Sequence, residues 1–170
     1  MYKTTHTLWI CGSLVAAFFV GKFVFAGQDK KETQTVNAAY KIVHYGDLKW
    51  SPALPGVEVA VLDGDPEAPG QPYAILLKYA DGAGSKPHWH RTDSSAVLLK
   101  GTYLLGIGER FDISKTQPLN AGDYVHLPKG VPHFDVIKGE TILYVHGIGP
   151  VEFNWVNPAD DPAKAAKPQK

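Results

Sequence analysis

Turn-forming residues cut this chain into short pieces, and that limits what it can fold into. Asp63-Gly64-Asp65-Pro66, Gly70-Gln71-Pro72 and Asp81-Gly82-Ala83-Gly84 interrupt it in quick succession, and Gly, Pro, Asp or Asn lies in nearly every later gap. Between the breaks lie runs rich in β-branched and aromatic residues: Val57 to Leu62, Tyr73 to Tyr79, Ala96 to Leu99, Thr102 to Ile107, Tyr124 to Leu127, Phe134 to Ile137 and Thr141 to Ile148. Each is long enough for a strand and too short for a helix. No dozen-residue window beyond the N-terminal segment repeats apolar residues at i, i+3, i+4, so helices are few and short. Short strands at this spacing predict an all-β fold, a sandwich or a barrel. A length of 170 residues suits one compact domain.

The two ends differ from the middle. Lys3 and His6 precede an apolar run from Leu8 to Val20, and Val24-Phe25-Ala26 ahead of Gly27-Gln28-Asp29 fits a small-residue cleavage site. Residues 1–26 therefore read as a secretory signal peptide, which predicts a periplasmic or extracellular protein. An uncleaved anchor over Leu8 to Ala26 is the competing reading, against which Lys22 sits at a costly depth. Cleavage removes the single Cys and the single Met, leaving no disulfide, thiolate nucleophile or thiolate ligand and no stable membrane span. Residues 27–56 read as a polar lead-in with the first strand or strands, residues 57–157 as the barrel, and residues 158–170, alternating Ala, Lys, Asp and Pro, as a flexible tail.

Lys plus Arg number 17 and Asp plus Glu 17, with no basic cluster. Nucleic acid is thereby excluded as a partner.

Two blocks carry chemistry. The first runs from Gly82 through His88, Trp89 and His90 to Gly101; the second from Gly122 through Pro128 and Gly130 to His133. Alternate residues of a strand share a face, so His88 and His90 present two imidazoles on one side and Trp89 the other. Pro128 and Gly130 suit a turn that delivers His133 onto the next strand.

The spacing of the two blocks resembles the signatures of the cupin superfamily, G-x5-H-x-H-x(3,4)-E-x6-G and G-x5-P-x-G-x2-H-x3-N, with four of five fixed positions matched in each. The resemblance covers positions 82 to 137. It implies a double-stranded β-helix, or jelly-roll, barrel in which His133 meets His88 and His90 across the interior. Three neutral imidazoles suit one divalent transition metal, Fe, Zn, Mn, Cu or Ni, with positions left open for water or substrate. Edge pairing of the barrel into a homodimer is a further implication.

Two positions depart from the signatures. The motif Glu falls on Ser94 and the motif Asn on Ile137. A hydroxyl is a poor metal ligand, so Ser94 is expected at most to hold a metal-bound water. His126, alternating with Tyr124 and Pro128, is the other candidate for a partner behind the ligands. Asp93 would face the wrong way on a strand. No general base is identifiable. The set resembles the three-histidine dioxygenases among cupins, which makes an oxygenase acting on a small molecule the leading expectation. A barrel that captures a small molecule or a metal without turnover is the alternative, motivated by the missing Glu.

Overall fold

The computed structural model describes residues 40–165. The expected signal peptide and residues 27–39 of the lead-in lie outside these residues. Every described strand belongs to the unit beginning at Lys41. No helix among the described residues is long and apolar enough to cross a membrane.

Among the described residues, nine antiparallel strands make one strongly curled sheet. They are β1 (Ser51–Leu54), β2 (Val57–Gly64), β3 (Pro72–Tyr79), β4 (Gly84–Trp89), β5 (Ser94–Ile107), β6 (Gln117–Asn120), β7 (Tyr124–Leu127), β8 (His133–Ile148) and β9 (Asn154–Trp155). The path β1-β2-β3-β8-β4-β9 is joined by β5, which pairs with β6, β7 and β8. The architecture is all-β, as the turn spacing predicts, and is the jelly roll that the resemblance implies.

The two longest strands organise it. β8 has β5 on one side throughout, and on the other β3 over Thr141–Ile148 and β4 over His133–Val136. One strand thus belongs to both halves of the curled sheet. In sequence, Lys138-Gly139-Glu140 reads as a break between two short strands, and Lys100-Gly101 likewise within β5. In the fold each is an irregularity in a continuous strand, where the β5–β8 register shifts between Leu98 and Thr102. Bulges of this kind bend a strand and so curl the sheet. β6 escapes the sequence reading because Leu119 is its single partly buried residue. At the start of the expected tail, a 3-10 turn, Pro158–Asp160, capped by Asn157 precedes a one-turn helix, Pro162–Ala165; residues 166–170 lie outside the described residues.

The inner face carries the main core: Val57, Tyr79, Ala96, Leu98, Tyr103, Leu105, Ile137 and Leu143. Ile137, at the motif Asn position, is 2% exposed and packs. A second apolar cluster lies outside. There Phe134 is fully buried, with Phe111 5.0 Å away between ring centroids and the Lys86 ammonium over the Phe111 ring. The Phe134 ring lies directly on Gly106, where a Cβ would come within 2.0 Å of the ring. Gly106→Ala is therefore expected to destabilise the fold by about 1 to 3 kcal/mol through overpacking. Urea unfolding of the variant against the parent checks this.

Candidate metal centre

β4 and β8 bring the histidines together. Across this pair Ser85 faces Asp135 and His88 faces His133, with a register shift between the two rungs. Strict alternation from His88 would point Lys86 inward. The bulge around Lys86-Pro87 changes the phase, so Ser85 lines the interior and Lys86 is exposed. Proline has no N–H to give to a ladder, which makes it suited to this position. His90 follows the end of β4 and keeps the direction of His88.

His88, His90 and His133 each offer one ring nitrogen, all within 4.8 Å of one another. His88 and His133 are both 3% exposed, and their ring centroids lie 4.3 Å apart. Each Nδ1 meets a backbone carbonyl: His88 to Lys86 O at 2.8 Å, His90 to Glu152 O at 2.7 Å and His133 to Val131 O at 3.0 Å. A carbonyl only accepts, so each Nδ1 carries the proton and donates. The neutral rings are left with Nε2 lone pairs to give, the arrangement in which a histidine ligand is oriented from behind.

Burial also keeps the rings neutral. Desolvation, with the His133 ring adding to it, pushes His88 down to about 3; desolvation pushes His133 down to about 4 and lowers His90. Metal ligands must be unprotonated, and these are so at neutral pH.

The histidines form one end of a cavity of about 390 Å3 inside the barrel. Phe153 stacks on His88 at 4.6 Å and on Trp155 at 5.5 Å, and is itself partly exposed to solvent. The walls are mainly apolar, with Tyr73, Tyr79 and Tyr103 among them. Among the described residues no lysine or arginine lines the cavity, and its carboxylates are Glu67 and Asp135.

Ser94 lies on this inner face and lines the cavity. His126 does not: Val125 and Leu127 point inward, while His126 lies on the outer face with its Nδ1 3.0 Å from Ser95 Oγ. A place behind the metal ligands is thus corrected for His126, since its strand turns the opposite residues to the interior. Asp93 accepts from the Lys129 N–H at 2.8 Å and is exposed.

The expectation that no candidate base exists is also corrected, by Asp135. It is 2% exposed and accepts from the Ser85 N–H at 3.1 Å and from Ser85 Oγ at 2.7 Å. Burial lifts its carboxyl to about 6, although Ser85 and Tyr103 pull the other way. A signal existed in the sequence: Asp135 shares its strand face with His133, one alternation on, and is a charge between the apolar Phe134 and Val136.

These shifts give the metal-free protein an acid weakness with a definite sign. The unfolded histidines take up protons near pH 6.5, where the folded ones do not, so their contribution to stability is lost as pH falls from there towards 4. Asp135 acts oppositely between about 6 and 4, because the folded carboxyl protonates first. Three histidines outweigh one carboxyl. Urea unfolding of metal-free protein is expected to show a loss on the order of 3 kcal/mol between pH 7 and pH 4.5; an unchanged midpoint contradicts the burial of the rings.

Residues 38–152 match the family described as the ChrR cupin-like domain. Among solved structures, the chain is similar to the polyketide cyclase RemF from Streptomyces resistomycificus, at 21% identity and a TM-score of 0.59, covering 76% of this chain and 95% of that one. KdgF from Halomonas sp. aligns at 17% identity and TM-score 0.53 over 65% of this chain and 96% of its own. An RmlC-like cupin from Shewanella frigidimarina aligns at 18% and 0.53, over 65% and 91%. No curated protein matches the sequence. At these identities the likeness shows the fold. Together with the family match over most of the described residues, it establishes that the chain belongs to the ChrR cupin-like family of the cupin superfamily.

Proposed function

We propose that this is an exported small-molecule enzyme built on one divalent transition-metal ion held by His88, His90 and His133. One observation carries the reading. Three imidazoles, those of His88 and His133 buried and that of His90 half-buried, each donate through Nδ1 to a backbone carbonyl and bring a ring nitrogen within 4.8 Å of one another at the wall of a partly open cavity. Hydrogen-bonded core histidines have no need to converge. A bound ion would supply Lewis acidity and open positions for a substrate oxygen. The chain's own residues shape the rest: Phe153 stacks on the ring of His88, the cavity walls are mainly apolar, and Ser94 and Asp135 provide polar contacts inside.

Dioxygenation, with both atoms of molecular oxygen entering the product, is the reaction proposed first. Metal analysis of protein from its native location identifies the ion, and N-terminal sequencing of the same sample is expected to begin at Gly27. Oxygen uptake is then measured with that metal on diketone, flavonol and thiol substrates. Uptake above buffer supports the oxygenase. Tight retention of a small molecule with no product by mass spectrometry favours capture without turnover, and metal-free native protein removes the proposal.

A further inference from the structure

Asp135 is a buried carboxylate for which no cationic side chain is provided among the described residues. No lysine or arginine lines its cavity, and the bulge at Lys86-Pro87 that places Ser85 beside it turns the nearest lysine outward. A carboxylate has about four acceptor positions. The Ser85 N–H and the Ser85 hydroxyl take two, and the Tyr103 phenol acts on the same group. Acceptor capacity remains, on a side chain that lines the cavity.

Its position relative to the histidines is fixed by the ladder. Asp135 and His133 are two residues apart on one strand and both face the cavity, so their backbone positions are one two-residue step, roughly 6.6 Å, apart along β8. The cavity they share is lined mainly by apolar and phenolic side chains, among them Tyr73, Tyr79, Tyr103, Leu143 and Val145, with Thr92 and Ser94 as small hydroxyls.

Resting on the metal centre proposed above, we infer that Asp135 is a specificity-determining residue, accepting a hydrogen bond from a hydroxyl of a flat, largely apolar ligand whose other end is held at the histidines. The ligand class is a phenol or enol with a second oxygen about one two-residue strand step away. A neutral hydroxyl fits better than an ammonium, because a cationic donor would be repelled by the divalent ion.

4-Hydroxybenzoate and benzoate separate these ideas, since they differ only in a hydroxyl placed opposite the carboxylate. Calorimetric titration into zinc-loaded protein is expected to show about tenfold tighter binding of the hydroxy compound, the size of a hydrogen bond to a charged acceptor. In Asp135→Asn, whose amide oxygen still accepts from the Ser85 N–H, that preference is expected to fall to near unity with zinc stoichiometry unchanged. Ser85→Ala keeps the carboxylate and is expected to keep the preference, so a general loss of folding cannot imitate the result. Equal affinities in the parent protein, no binding of either compound to the zinc-loaded protein, or a preference that survives Asp135→Asn each overturns the inference while leaving the metal centre standing. Failure to hold zinc at all overturns the proposed function itself, and this inference falls with it.

Discussion

Alanine at position 133 is expected to cut zinc affinity by at least about a hundredfold. Weakening only the groups behind a metal ligand costs ten- to a hundredfold, so deleting a ligand should cost no less. The fold should survive. His133 faces a cavity on one side, and its truncation enlarges that cavity rather than leaving a charge buried; the Val131 carbonyl loses its ring partner, at about 1 kcal/mol. Equilibrium competition against a chelator reads the affinity, and circular dichroism reads the fold. Unchanged affinity in a folded His133→Ala protein removes this residue from the site.

The second large effect is structural and lies at Gly101, the last glycine of the first motif. Its φ is +87°, in the left-handed region, and a Cβ there would come within 2.2 Å of Thr141 Oγ1 and 2.6 Å of the Glu140 carbonyl oxygen. Side chain and backbone objections therefore coincide at the irregularity that bends β5 against β8. Gly101→Ala is expected to cost at least about 3 kcal/mol, from left-handed strain together with a clash against backbone that cannot step aside. A domain of this size should lose about 10 °C or more in Tm. A calorimetric scan within a few degrees of the parent would show that the bend does not depend on this glycine.

Gly101 also shows where the sequence could and could not be read. Turn residues reveal that the chain is all-β, but a glycine at a bulge and a glycine in a loop look the same. β5 and β8 consequently read as four short strands, although they are two long ones shared between the halves of the fold. His88 and His90 were legible from alternation, and His133 from the spacing of the second block together with the resemblance. The side on which His126 lies was not, because alternation gives two faces without saying which is inner. The Asp135–Ser85 pair was hidden for another reason: it depends on a phase change at Lys86-Pro87, a cross-strand irregularity that neither strand announces alone. Locking of all three Nδ1 atoms was equally beyond reach, since one of the carbonyls belongs to Glu152, distant in sequence from His90.

The central claim is that His88, His90 and His133 converge on a single ion. Zinc-edge X-ray absorption on protein loaded with one equivalent of zinc tests it most directly. The expected spectrum has three nitrogen scatterers at about 2.0 to 2.1 Å with the outer-shell signature of imidazole rings, plus light atoms from water. An all-oxygen shell without ring scattering, or an imidazole count that does not change in His133→Ala, would contradict it.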